Sequence, residues 1–285
     1  MTAKDTAIKA FDASRFPLLV PATAADALEV IKDNLGEGGL SIADLDRITV
    51  PPGGGTTFEI PTVDGDTEPA KELVGIIILS TEQKAYWAQS MEEAPNSPPI
   101  CFSHDRMTGT GDPMETGQVE KHSCATCPKN EWGTSKTGTG KGKACRDLRP
   151  LFLLREGEYL PIVVSIPRKS LKHVKKYMAR LAAKGIPYYG CLTRFTLNKV
   201  SGGGVPDYTE ITPSLVEVLS KENRAAIKHF ALQLHNAVAT QTPAASSEPD
   251  YSADPQSVYD PLADAADPMQ NTEPAANFEP FAEVE

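Results

Sequence analysis

The chain has no long apolar run. In 285 residues the longest is Val74-Gly75-Ile76-Ile77-Ile78-Leu79, far short of the roughly 20 residues that cross a bilayer as a helix. Its first residues, Met1 to Phe11, set Lys4, Asp5 and Lys9 among small side chains and lack the apolar middle of a secretory signal. A cytoplasmic protein is therefore expected. Cysteine is scarce: five in all, at 101, 124, 127, 145 and 191. In a reducing compartment a disulfide framework is excluded, and clustered thiols point to metal. Positive charge is missing from the whole end of the chain, since no Lys or Arg follows Lys228.

What charge there is lies unevenly. The net −10 divides into −12 for residues 1–120, +13 for 121–199, −1 for 200–243 and −10 for 244–285. A basic central block between acidic flanks suits a polyanion that the total charge would hide.

The tail, 244–285, repeats proline at 249, 255, 261, 268, 274 and 280 among Ala, Asp and Glu. Such a segment removes backbone donors and buries too little to offset its ordering entropy, which predicts disorder. Ahead of it, Thr23 caps an expected helix over 24–35 ended by Gly36. Ser41 and Asp44 suggest a short capped turn. Strands are expected at 47–50, 57–60, 73–79, 151–154, 160–166, 191–200 and 208–211, with a hairpin turn around Glu156-Gly157-Glu158. A helix opens at Ser170 and runs to Lys184, and a last one spans 221–240 with Ser220 as cap. Many strands and few helices predict an α+β fold with a curved or closed sheet. Residues 95–148 fit neither helical nor strand period, and a stretch of that length needs another source of order.

The cysteines supply a candidate. Cys124-Ala-Thr-Cys127 places two thiolates within reach of one tetrahedral zinc; Cys145 follows, and Cys101 precedes. Four thiolates close a structural Zn²⁺ site. His104 and His122 compete as donors. A redox Cys-x-x-Cys lacks thioredoxin-like surroundings, and an iron–sulfur cluster is a lesser rival. Cys191 reads as a buried small residue in a strand. Gly138-Thr-Gly140-Lys141-Gly142-Lys143 suggests a phosphate loop, but no Gly-Lys pair is followed by Ser or Thr and no strand leads in.

The basic block interleaves cations with rings. The helix from Ser170 turns Leu171, Val174, Met178 and Leu181 to one face and its cations mainly to the others. Basic groups track phosphates and exposed aromatic faces stack unpaired bases. The candidate nucleic-acid contacts are Trp132, Lys136, Lys141, Lys143, Arg146, Arg149, Tyr159, Arg168, Lys169, Lys172, Lys176, Tyr177, Arg180, Tyr188 and Arg194. Phe152 and Phe195 are expected in the core.

The run Cys101…Cys124-x-x-Cys127-Pro-x-Asn130-x-x-Gly133…Gly140-Lys141-Gly142-Lys143-Ala144-Cys145 resembles a family of proteins encoded by phages and mobile elements. Pro52-Gly53-Gly54-Gly55, Ala85-Tyr86-Trp87, Pro161-Ile-Val-Val, Pro167-x-x-Ser170-Leu171-Lys172 and Thr193-Arg194-Phe195 belong to the same resemblance, which covers about residues 40–212. It implies a phage or prophage origin, hence the cytoplasm of a bacterial host. In plan the chain also resembles phage single-stranded DNA-binding proteins, which join an oligonucleotide-binding (OB) barrel to an acidic tail. Phe278 and Phe281 lie near the end of this one.

The expected fold is thus an OB-like barrel or curved sheet with an inserted zinc module, one or two packed helices and a disordered acidic tail. Residues 1–20 read as a flexible N-terminus, 21–243 as the nucleic-acid-binding core with its module at 95–148, and 244–285 as the tail. The expected function is sequence-nonspecific binding of single-stranded DNA in replication or recombination, without catalysis. The tail would recruit partner proteins. A zinc-ribbon adaptor for a host polymerase or another protein is the alternative, and a metal-dependent nuclease the third reading.

Overall fold

The computed structural model describes residues 11–20, 29–30, 33–35, 44–89, 97–135, 142–202 and 205–239. The tail, most of the helix expected over 24–35, and Lys136 and Lys141 lie outside the described residues.

The architecture is α+β and strand-rich. Thirteen strands are described: β1 (Arg47–Ile48), β2 (Phe58–Pro61), β3 (Thr67–Ala70), β4 (Glu72–Ser80), β5 (Gln83–Tyr86), β6 (Cys101–Ser103), β7 (Thr108–Gly111), β8 (Glu120–Ser123), β9 (Arg146–Leu148), β10 (Pro150–Leu154), β11 (Ile162–Ser165), β12 (Cys191–Gly202) and β13 (Val205–Val218). Helix α1 (Leu171–Ala182) follows β11, and α2 (Lys221–Ala239) follows β13. No described helix is long and apolar enough to cross a membrane.

Six strands form the main sheet in the order β1-β11-β10-β4-β12-β13; β2 and β3 pair as a hairpin, and β8-β7-β6-β5-β9 form a second sheet. The sheets do not close into a barrel: β1 and β13 remain edges of the first. Pro213 on β13 interrupts the donor row of that edge.

The continuous apolar run of β4 reflects burial on both faces. Leu73 and Ile77 join Leu151, Leu153 and Phe195 beneath α1 and the β2–β3 hairpin. Ile76, Ile78 and Leu79 join Phe152, Leu154 and Leu192 on the other face, with Phe16 and, from α2, Ile227. Phe152 and Phe195 are in the core as expected. Residues 11–20, expected to be flexible, are packed instead. Phe16 is fully buried and stacks 5.5 Å from Phe11, and the Arg15 carbonyl accepts a hydrogen bond from Gly157.

On α1, Val174, Tyr177 and Leu181 are buried, while Lys172, Lys176 and Arg180 are exposed. Ser170 does not cap the helix; its hydroxyl accepts from the Ile211 amide at 3.0 Å and ties the helix start to β13. Ser220 does cap α2, accepting from the Asn223 amide at 3.2 Å.

The second sheet grows out of the first. β4 and β10 are antiparallel neighbours, with Ser80 opposite Leu151. β5 and β9 continue that ladder without a slip, with Gln83 opposite Leu148 and Ala85 opposite Arg146. Residues 83–148 are therefore the far end of one long hairpin, opened to admit β6, β7 and β8. The expected module at 95–148 is part of this larger unit.

Candidate metal centre and nucleic-acid interface

Cys101, Cys124, Cys127 and Cys145 are 4–8% exposed and line one cavity with Lys84, Tyr86, His122, Lys129 and Asn130. The space among them is about 10 Å³, room for a single atom-sized guest. All five cysteines are free thiols.

Each cluster thiol is placed by the backbone. Cys101 opens β6, opposite Tyr86 and Gly111. Gly111 has φ +147°, and a Cβ there would lie 2.4 Å from the Cys101 Cα. At Gly109 a Cβ would lie 2.7 Å from His122 Nε2 and 3.2 Å from Cys101 Sγ. These two glycines let β7 approach the thiol closely. Cys124 donates its amide to the Met107 carbonyl at 2.8 Å. Cys127 precedes a 3₁₀ turn, Pro128–Asn130, in which the Asn130 amide donates to the Cys127 carbonyl at 2.9 Å. The Asn130 side chain donates back to the Cys124 carbonyl, also at 2.9 Å. The amide of Cys145 donates to the Lys129 carbonyl at 2.7 Å. One asparagine and one lysine carbonyl thus hold three cysteines together.

Electrostatics set the state of the thiols. Burial first, and then the neighbouring Cys145, Cys127 and Cys124, push the Cys101 thiol up to about 12. Cys145 is likewise raised, to about 11: burial lifts it, the Lys84 ammonium pulls against that, and Cys124, Cys127 and Asp147 add to it. A group of thiolates in this pocket requires a cation. Among the described residues no group of three or more His, Cys, Asp or Glu is already set in ion-holding geometry; the thiols converge on the cavity without forming a finished cage. The two competing histidines separate. His122 Nε2 stands 3.4 Å from Cys101 Sγ and lines the cavity. His104 is exposed and packs edge-on to Phe102, with ring centroids 4.7 Å apart.

Sequence reasoning missed the polar wall of this pocket. Lys84 on β5 is 5% exposed; its ammonium donates to Asn130 Oδ1 at 2.7 Å and to Asp147 Oδ1 at 2.8 Å. Tyr86 donates its hydroxyl to Glu115 at 2.8 Å and accepts from Lys129 at 3.0 Å. Asn130 and Tyr86 stood in the quoted motifs; nothing in the sequence marks Lys84.

No protein-family model, curated protein or solved structure matches this chain.

The candidate nucleic-acid residues fall into three groups. In the module, Lys143 Nζ lies 5.1 Å over the ring of Trp132, which is 46% exposed, and the Arg146 guanidinium lies 5.4 Å over Trp87. Gly133 and Ser135 both donate to the Gly142 carbonyl at 3.0 Å, closing a neck beside Trp132 and Lys143. The second group surrounds α1. Lys169 Nζ sits 3.6 Å over Tyr208, Lys172 pairs with Glu210 at 3.4 Å, and no ion pair among the described residues holds the exposed Arg168, Lys176 or Arg180. Tyr159 is exposed on the loop after β10.

The third group corrects the expectation. Tyr177 is 6% exposed, with its hydroxyl 2.8 Å from Thr193 Oγ1, so its ring packs the core and is closed to a base. Tyr188 is half-buried against the same core and packs edge-on to Tyr189. Arg149 is tied inward, to Glu82 at 3.0 Å and Ser80 at 3.2 Å, at the junction of the two sheets. Arg194 Nε stands 2.9 Å from Glu72, an ion pair by distance that is not aligned as a hydrogen bond.

Proposed function

We propose that this chain binds single-stranded DNA without sequence preference, in phage replication or recombination, and that one zinc ion on Cys101, Cys124, Cys127 and Cys145 keeps residues 83–148 in shape. The observation that carries the binding half is the pairing of cations with aromatic rings: Trp132 with Lys143 and Trp87 with Arg146 in the module, and Tyr208 with Lys169 beside α1. Cations that neutralise phosphates beside rings that stack on bases are what an unpaired strand needs. The interface is not a barrel groove; it follows the exposed cations of the module and of α1. The acidic tail competes for these cations and is displaced by the strand.

The zinc half rests on four buried thiols around a cavity of about 10 Å³. That space suits one ion with Zn–S bonds of about 2.3 Å. The metal is structural: four thiolates leave it no open position for a substrate.

A second reading, the zinc-ribbon adaptor, draws support from exposed Met107, Met114 and Val119 on the module, side chains suited to a protein surface. A nuclease is disfavoured by its carboxylates: Asp147, Glu156 and Glu158 are each held in ion pairs, with Lys84, Arg15 and Arg155. Metal analysis of freshly purified protein tests the first half, with about one zinc per chain expected. Titration with a bare oligonucleotide tests the second, since an adaptor does not bind one.

A further inference from the structure

Lys84 is a full positive charge in a place that should not hold one. Its side chain is nearly enclosed, and it faces the four-thiol cavity. Among the described residues its one carboxylate partner, Asp147, is shared with Arg106, whose Nη2 lies 3.4 Å from the same oxygen. Arg106 also pairs with Glu82 at 2.9 Å, and Glu82 in turn holds Arg149. The connected set is three cations, Lys84, Arg106 and Arg149, against two carboxylates, Asp147 and Glu82. With neutral thiols the set carries one positive charge more than its carboxylates; Arg106 and Glu82 reach solvent, so the enclosed member is Lys84, and the carboxylate it relies on is shared.

A divalent ion on four thiolates has net charge −2, which outweighs the single surplus charge and gives Lys84 an anionic neighbour. We propose that Lys84 is the internal counter-ion of this dianionic centre, held in place by Asn130 and Asp147. This rests on the zinc reading above. Asn130 gives the arrangement its direction, because the same side chain accepts from Lys84 and donates to the Cys124 carbonyl. Charge at the metal is thereby linked to the shape of the Cys124–Cys127 loop, and through Asp147, Arg106, Glu82 and Arg149 to Ser80 on the main sheet. Lys84 is a positioning residue: it touches the ligands' surroundings and not the metal.

The test is zinc retention by the full chain against a chelator, at about 0.1 M and about 1 M salt, conditions that separate screened from buried charge. Lys84→Met and Lys84→Gln remove the charge, the second keeping donors; Lys84→Arg keeps the charge; Lys121→Met removes an exposed charge on β8 as control. Outer-shell partners of a metal site affect affinity by about 10- to 100-fold, so the two neutral variants should lose zinc that much more readily. The loss should persist at high salt, Lys84→Arg should recover most of it, and Lys121→Met should change little. A neutral variant that retains zinc within about twofold of wild type overturns the proposal. So does failure of Lys84→Arg to restore retention, because the position then demands shape and not charge. A wild type that carries no metal overturns the zinc reading itself, an outcome distinct from either.

Discussion

Asn130→Ala removes the side chain that closes the cysteine loop. Two hydrogen bonds go with it: Nδ2 to the Cys124 carbonyl at 2.9 Å, and the one Oδ1 accepts from Lys84 at 2.7 Å. A neutral hydrogen bond contributes about 0.5–1.5 kcal/mol and one to a charged group about 1.5–3. The loss is about 2–4 kcal/mol, and it leaves Lys84 buried with Asp147 as its remaining partner among the described residues. If the bonds form only when the loop is closed on metal, this cost falls on zinc affinity. At 1.4 kcal/mol per factor of ten, zinc should be held about 30- to several-hundred-fold more weakly. Chelator competition gives the affinity, and urea denaturation of the zinc-loaded protein gives the stability. An Asn130→Ala protein with unchanged zinc affinity and an unchanged denaturation midpoint would show that this side chain does not close the loop.

Further outcomes follow from other parts of the structure. Tyr177→Phe should cost about 1 kcal/mol of stability through its bond to Thr193 and leave oligonucleotide affinity unchanged, whereas a stacking role would weaken binding. At Glu82, burial pushes the carboxyl up, but the Arg106 hydrogen bond and the charges of Arg149, Arg106 and Lys175 outweigh it and hold the group below its ordinary value. Its contribution is present above the unfolded value of about 4.3 and lost as pH falls through the lower folded value. Denaturation midpoints of wild type and Glu82→Gln should therefore differ at pH 7 and converge toward pH 3, and a gap that ignores pH would refute this. Residues 244–285 carry ten carboxylates and no Lys or Arg. As a tethered competitor of phosphate, they should weaken binding, so truncation after Thr242 should tighten it several-fold at low salt, with the gain shrinking as salt rises. Equal affinities at low salt would show that the tail does not compete.

The main sheet was legible because β-branched and aromatic runs mark its strands: 73–79 foretold β4, and 191–200 foretold β12. The second sheet was not. Its strands are three or four residues long and read Gln-Lys-Ala-Tyr, Cys-Phe-Ser, Thr-Gly-Thr-Gly, Glu-Lys-His-Ser and Arg-Asp-Leu. No periodicity survives in pieces that short, and what they pack around is a thiol cluster rather than an apolar core. The cysteines themselves were legible, because Cys-x-x-Cys with two outlying partners is a geometric statement as well as a chemical one. Lys84 was not, since a lysine between Gln83 and Ala85 reads as surface, and only the fold buries it. Tyr177, expected as a nucleic-acid contact, lies on the buried face. With Val174, Met178 and Leu181 it completes an i, i+3, i+4, i+7 stripe, and a core tyrosine on a lysine-rich helix looks like a stacking residue until its hydroxyl is seen bonded to Thr193.

The most direct test of the account is affinity for a single-stranded oligonucleotide measured against salt, for wild type and for a protein with Arg168, Lys172, Lys176 and Arg180 changed to Gln. For single strands the logarithm of affinity falls with the logarithm of salt concentration by about 0.7 per neutralised phosphate. The account predicts tighter binding to single strands than to duplex, a steep fall with salt for wild type, and a slope flatter by about 0.7 for each contact the variant loses. Affinity that does not change with salt, or a preference for duplex, would contradict it.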